Sequence, residues 1–366
     1  MLIIPLHALY PPNLFYKYIF IAIAILVLLT GFTTCKKQLI SDPVSAVSMV
    51  DFETKLDNLR KQSSIPGMVA GLVRDGQVIW TKNYGYENVA QQKLVTNTTI
   101  FHLASLTKTF ASALIIQLVK ENKINLYAPV AEYGINLIER DTVRVIHLLT
   151  HTSEGIPGSN YKYNGDRYAL LSKVIQSATG ETFDKLSNNR IIQPLGLQNT
   201  APGDMKLAAA DGFDTIRLQG NTAQGYHSNG NQMVDYPKNF STAAGLTSTI
   251  DDMLIYASAF DGNTLLTDEL KAKVFTPMIS NNGKILPYGL GWFIQQREGI
   301  TVTWHYGYWI GMSSLIIRVP EKKLSFVLMA NSDMLSAPYP LGNGDIWVSP
   351  YAREFLKSFI LAGAKL

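Results

Sequence analysis

Ser105 and Lys108 stand three residues apart in the run Phe101-His102-Leu103-Ala104-Ser105-Leu106-Thr107-Lys108-Thr109-Phe110, directly ahead of an apolar stretch from Ala111 to Val119. The stretch predicts a helix beginning at the pair, and residues three apart on a helix share a face. That spacing brings an amine within reach of a hydroxyl at the positive end of the helix. A serine hydroxyl is a poor nucleophile until a base removes its proton, and a lysine stripped of water can be that base. The chemistry on offer is nucleophilic attack by Ser105 with Lys108 as proton acceptor. S-x-x-K alone also marks many solvated helix starts, so its meaning depends on what surrounds it.

Further motifs follow in a fixed order. They are Ile65-Pro66-Gly67-Met68, the Phe101–Lys108 run, His147-Leu148-Leu149-Thr150-His151-Thr152-Ser153, Pro194-Leu195-Gly196-Leu197, Tyr288-Gly289-Leu290-Gly291-Trp292 and His305-Tyr306-Gly307. In this combination the chain resembles the serine β-lactamase and penicillin-binding-protein superfamily, over roughly residues 50–359. Within it, the resemblance is to the branch of class C β-lactamases, D-Ala-D-Ala carboxypeptidases, D-aminopeptidases and related esterases. It implies a serine hydrolase working through an acyl-enzyme, with no cofactor and no metal. Ser105 becomes the acylated nucleophile and Lys108 its proton acceptor. His305-Tyr306-Gly307 takes the place of the Lys-Thr-Gly strand motif, and Gly307 is expected to let an extended substrate approach closely. The resemblance also implies an oxyanion hole from the backbone N–H groups of Ser105 and Tyr308. His305, Gly307 and Tyr308 are therefore the substrate-binding and oxyanion residues, with aromatic bulk from Tyr306, Tyr308 and Trp309 along the cleft.

The middle motif departs from the family. Where the pattern has Tyr-x-Asn, the chain reads Tyr163-Asn164-Gly165. Tyr163 matches the tyrosine, and a neighbouring lysine cation would lower its pKa until it served as a general base. Gly165 cannot hold the acylamino side chain of a β-lactam as the family amide does, and Asn164 could do so only if the loop shifted register by one. This favours an ester, amide or D-amino-acid peptide substrate over a β-lactam. A low-turnover penicillin-binding or sensing module of the same fold, or a true β-lactamase, are the alternatives.

Other chemistry-bearing residues have plainer readings. His147 and His151 lack the glutamate of a His-Glu-x-x-His zinc site and, with His102, are expected to pack or cap helices. Glu154 and Arg167 flank the Ser153–Tyr163 loop and could pair across it at under about 1 kcal/mol. His227 lies in a Gly- and Asn-rich stretch where it could face the cleft.

These residues need a scaffold. A helix is predicted over 50–62, then a hairpin of Met68–Val73 and Val78–Tyr84 around Asp75-Gly76. The middle of the chain reads as helices over 143–149, 168–179 and 183–192, then irregular polar loops over 201–239 and a helix over 250–260. Strands return at 289–295, 302–305, 313–319 and 324–330, and a final amphipathic helix covers 351–362. The fold class is α+β: an antiparallel sheet built from both chain ends and flanked by helices, with an inserted mainly helical subdomain. The boundaries are 50–110 with 241–366 for the α/β part and 111–240 for the helical and loop part.

The 366 residues are 47% hydrophobic and 16% charged, with a net charge of +4, ample for a large core. No basic stripe is interleaved with aromatics, which argues against a nucleic-acid partner. Residues 1–35 read as a targeting segment and 36–49 as a tether. An apolar run from Leu14 ends at Cys35, the only cysteine. It resembles a lipoprotein signal with Cys35 as the lipidation candidate. An uncleaved membrane anchor would place Lys36 and Lys37 outside the cell, against the positive-inside tendency, and a plain cleaved signal is the third reading. All three put the folded part outside the cytoplasm, attached to the membrane in the first two. The expected partner is a small-molecule or peptide substrate, and oligomeric state is left open.

Overall fold

A computed structural model describes residues 49–227, 232–236 and 238–361; the targeting segment, Cys35 and nearly all of the tether lie outside them. Helix α1 (Met49–Gln62) leads into strands β1 (Gly67–Arg74), β2 (Gln77–Asn88), β3 (Lys93–Leu94) and β4 (Phe101–His102). Then come α2 (Thr107–Lys120), α3 (Val145–Leu149), α4 (Gly165–Ala169), α5 (Leu171–Thr179) and α6 (Phe183–Ser187). Strand β5 (Ala201–Pro202) precedes α7 (Met205–Ala210), α8 (Thr215–Asn221), β6 (Gly225–His227) and β7 (Gln232–Val234). The chain closes with β8 (Leu246–Ser248), α9 (Ile250–Ser258), α10 (Asp268–Val274), β9 (Phe293–Arg297), β10 (Ile300–Trp309), β11 (Met312–Val319), β12 (Leu324–Ala330) and α11 (Pro350–Phe359).

The main sheet has the order β3-β2-β1-β12-β11-β10-β9, antiparallel throughout, so strands from the two ends of the chain meet at its centre. The turn between β1 and β2 has Asp75 and Gly76 both at positive φ, the geometry that Asp-Gly favours in a two-residue hairpin. Side chains alternate faces along a strand. Met68, Ala70 and Leu72 therefore pack with Phe52 and Leu56 of α1 and Phe355 and Leu356 of α11. Val69 and Val73 face the opposite core, which holds Phe110 and Leu114 of α2 and Met253 and Leu254 of α9. Helix α9 lies so close to β1 that a Cβ on Gly71 would come 2.6 Å from a Leu254 methyl.

Three expectations change in detail. The helix read over 168–179 breaks at Leu170 into α4 and α5. The stretch read over 183–192 becomes α6 followed by a π-turn at Asn188–Ile192. The stretch read as irregular over 201–239 contains α7, α8 and short strands, because Asp204 and Asp214 cap two helices through their side chains. Among the described residues, no helix is long and apolar enough to cross a membrane.

Candidate active site

Ser105 lies in a single 3₁₀ turn, Ala104–Leu106, that runs directly into α2. Ala104 sits at φ 47°, a left-handed conformation that costs a residue with a Cβ about 1–3 kcal/mol. The surroundings hold it there. Thr107 Oγ1 donates to the Ala104 carbonyl at 2.8 Å and accepts from Leu246 N–H at 3.1 Å. Ser314 Oγ donates to the Leu103 carbonyl at 2.7 Å. The turn is clamped between β8 on one side and β11 on the other.

Lys108 Nζ lies 3.0 Å from Ser105 Oγ and donates to the Ala243 carbonyl at 2.9 Å. The lysine is 1% exposed, with its nitrogen 5.1 Å from the ring centre of Tyr163 and 5.3 Å from that of Tyr168. Loss of water pulls its pKa from the usual lysine value down to about 7, against a smaller upward pull from the Asp166 carboxylate. Near neutral pH a large share of Lys108 is therefore the free amine, able to accept a proton.

Tyr163 is next to this pair, but its burial works against the base role expected of it. Burial raises its pKa well above the usual phenol value, the Tyr306 hydroxyl adds to this, and contact with Ser105 only partly opposes it. The expected mechanism needs a lysine cation beside the ring, and Lys108 has shed much of its charge. Burial therefore favours the neutral phenol, with the hydroxyl beside Ser105.

His305 also has a different place from the one the strand motif suggested. Its ring is fully buried, with Nδ1 2.7 Å from the Tyr306 carbonyl and Nε2 2.9 Å from Tyr288 Oη. A carbonyl only accepts, so Nδ1 carries the proton and Nε2 accepts from the tyrosine. Burial, with the nearby Lys108 charge, lowers the His305 pKa to about 3. The residue is a buried ring held between two internal partners.

Gly307 is required by the nucleophile's turn. A Cβ there would overlap the Leu103 carbonyl and Ser314 Oγ, so the missing side chain lets β10 lie against the residues just before Ser105. Beyond it, Tyr308 is 42% and Trp309 55% exposed, and Ile310 continues the apolar rim. Strand β10 pairs with β9 only over Ile300–Trp304 but with β11 over Thr303–Trp309. Among the described residues, 305–309 therefore have one edge without a strand partner, where an extended substrate can add its backbone.

The departure at the middle motif is equally concrete. Asn164 Oδ1 accepts from Arg167 N–H at 3.1 Å to cap α4, and its Nδ2 donates to Glu154 at 3.3 Å, so it does not stand in for the missing amide. A Cβ on Gly165 would meet nothing within 4 Å. Glu154 pairs with Lys162 at 2.9 Å and Arg167 with Glu139, so the expected Glu154–Arg167 bridge does not form.

His147 accepts from the N–H of Arg144 at the start of α3. His151 accepts from Asn164 N–H inside a cage of Tyr161, Tyr163, Tyr168 and Tyr288. His102 stacks on Tyr236, and His227 is 2.7 Å from Asp333 rather than free in the cleft. Sequence reasoning missed the Ala243 carbonyl, which holds Lys108 from the loop before β8, and Tyr288, which orients His305. Tyr288 opens one of the quoted motifs, so a signal existed; nothing in the sequence marks a backbone carbonyl.

A family model described as Beta-lactamase matches residues 52–344. The chain is 25% identical over 303 residues to the D-aminopeptidase of Gluconobacter oxydans (strain 621H), a match covering 73% of this chain and 56% of that protein. It thus spans little more than half the length of that relative. Penicillin-binding protein 4* of Bacillus subtilis (strain 168) is 22% identical over 330 residues, covering 77% of this chain and 71% of the relative. Among solved structures, the octameric penicillin-binding protein homologue from Pyrococcus abyssi superposes with a TM-score of 0.71 at 23% identity, over 84% of this chain and 77% of that one. A family match across most of the described chain, on a sheet and helices of the same fold, makes this chain a member of the β-lactamase family of serine hydrolases.

Proposed function

We propose that the chain hydrolyses esters, amides or D-amino-acid peptides outside the cytoplasm through an acyl-enzyme on Ser105. The observation that carries this reading is the 3.0 Å contact between Ser105 Oγ and a buried Lys108 amine with a pKa near 7. Substrate backbone docks on the free edge of β10 at residues 305–309. As Ser105 Oγ bonds to the substrate carbonyl carbon, its proton passes to Lys108 Nζ. The developing oxyanion is met by the N–H groups of Ser105 and Tyr308. When the tetrahedral centre collapses, the Lys108 ammonium returns the proton to the departing alcohol or amine, with the Tyr163 hydroxyl beside Ser105 as the relay. Water then attacks the acyl carbonyl and gives a proton to Lys108, which passes it to Ser105 Oγ as the acyl bond breaks, releasing the acid and restoring the free amine.

The strand motif supplies no cation for a substrate carboxylate, because the His305 ring is buried with both nitrogens engaged internally. The exposed Tyr308, Trp309 and Ile310 offer apolar contact in its place. The extracytoplasmic setting rests on the apolar run ending at Cys35.

The test is a rate comparison on the full-length chain among p-nitrophenyl acetate, D-alanine p-nitroanilide and a chromogenic cephalosporin. Turnover should be highest for the ester, measurable for the amide and lowest for the cephalosporin, and Ser105→Ala should abolish all three. A cephalosporin turned over faster than the ester would overturn the substrate assignment. A stoichiometric burst without turnover on every substrate would favour the sensing module instead.

A further inference from the structure

His151 follows helix α3 with its backbone in the left-handed region, at φ 55°. It fills the left-handed position of a Schellman turn: its N–H lies 3.4 Å from the Leu148 carbonyl, and the Thr152 N–H donates to the His147 carbonyl at 2.8 Å. Glycine is the usual residue at this position, because a Cβ is disfavoured in that conformation. Here the chain places a bulky ring, buried to 2% exposure. A strained residue kept beside a reactive serine calls for a reason in the side chain itself.

That side chain and its own backbone bracket Tyr163. The His151 carbonyl accepts from the N–H of Lys162 at 2.9 Å, and Nδ1 accepts from the N–H of Asn164 at 3.1 Å. Both neighbours of Tyr163 are thus fixed to one residue of the α3 turn. Between them the Tyr163 ring lies against the imidazole, with ring centres 4.4 Å apart at 35°. The same Tyr163 ring is 5.1 Å from Lys108 Nζ, and its hydroxyl is beside Ser105. An imidazole that accepts at Nδ1 carries its proton on Nε2. Burial, with the nearby Lys108 and His305 charges, holds the His151 pKa well below the usual histidine value, so the Nδ1 lone pair stays available to Asn164. Glycine at 151 would keep the turn, but it could neither accept from Asn164 nor support the Tyr163 ring.

We propose that His151 is a positioning residue for the proton relay: it fixes residues 162–164 so that the Tyr163 hydroxyl stays at Ser105. The proposal rests on the acyl-enzyme reading of Ser105, in which that hydroxyl relays the Lys108 proton to the leaving group. His151 acts through Tyr163 and takes no proton itself.

Turnover of D-alanine p-nitroanilide by the full-length chain tests it, because the leaving amine needs the relayed proton. His151→Gly keeps the left-handed turn and removes the ring. Its kcat should fall about 3- to 10-fold, with KM within about twofold of the parent. His151→Asn restores a side-chain acceptor near the Nδ1 position and tolerates positive φ, so it should regain at least about half of the parent kcat. In a Tyr163→Phe background, His151→Gly should cost less than about twofold more, since the hydroxyl it positions is already gone. Losses that multiply in the double variant, or a His151→Asn chain as slow as His151→Gly, overturn the proposal. If His151→Gly gives no cooperative melt, His151→Gln takes its place, since its amide reaches the Nε2 position rather than Nδ1. His151→Gln should then be slower by the same factor, and parent-like turnover by it overturns the proposal. Amide turnover that survives Ser105→Ala, or that the parent lacks, overturns the acyl-enzyme reading and the proposal with it.

Discussion

Lys108 ties catalysis and stability to the same buried nitrogen, and the two should separate when it is changed. Burial lowers its pKa from 10.5 to about 7, which is worth about 5 kcal/mol. The reactive form is the free amine. Acylation of Ser105 should therefore rise about tenfold per pH unit below pH 7 and level off above it, with roughly half the amine free at the midpoint. The Asp166 charge raises this pKa, so Asp166→Asn should move the acid limb to lower pH. The same shift acts on folding. Between pH 7 and 10.5 the unfolded chain holds a proton on Lys108 that the folded chain does not, so stability increases with pH across that window. The penalty is fully present below pH 7 and gone above 10.5. Lys108→Met removes it but orphans the Ala243 carbonyl, at about 1–3 kcal/mol. At pH 6 the variant should thus be about 2–4 kcal/mol more stable than the parent. It should acylate about 10²- to 10⁴-fold more slowly. Stopped-flow acylation by p-nitrophenyl acetate from pH 5 to 9 and melts at pH 6 and 10 read both effects. A flat rate profile, or a Lys108→Met chain less stable than the parent at pH 6, would refute the buried-amine account.

Three further substitutions probe the neighbours of that nitrogen. Gly307→Ala places a Cβ inside Leu103 O and Ser314 Oγ; it should cost about 1–3 kcal/mol of stability. By prising β10 from the Ser105 turn, it should also lower kcat/KM about 10²- to 10³-fold, read from steady-state ester hydrolysis and a melt. Tyr163→Phe removes a neutral hydroxyl rather than a base, so acylation should slow only about 3- to 10-fold, with the acid limb still near pH 7. Gly165→Asn has open space for its side chain. It should leave the melting temperature within a degree or so while raising cephalosporin acylation about fivefold, followed by a chromogenic assay.

The sheet was legible because its strands are apolar runs separated by strong turn signals, Asp75-Gly76 and Pro320-Glu321-Lys322-Lys323 among them. The nucleophile and its lysine were legible because i,i+3 spacing is set by local geometry alone, whether the turn is 3₁₀ or α. What was not legible depends on environment. The protonation of Tyr163 and the charge of Lys108 are set by burial, which no four-residue pattern encodes. His305 looked like a substrate contact because the motif gives its position on β10 but not the Tyr288 hydroxyl that engages its ring. The 201–239 stretch looked irregular because its helices are two turns or less; their Asp204 and Asp214 caps were the readable signal. Helix α10 was missed despite Asp268 and Glu269 in its first turn and Lys271 and Lys273 in its last.

The central claim is that Ser105 alone is acylated, and that the free Lys108 amine drives the step. Intact-mass spectrometry with peptide mapping after exposure of the full-length chain to a fluorophosphonate tests it most directly. One adduct per chain is expected, on the peptide carrying Ser105, forming markedly more slowly at pH 5 than at pH 8 and absent from Ser105→Ala. An adduct on another residue, or labelling that persists in Ser105→Ala, would contradict the account.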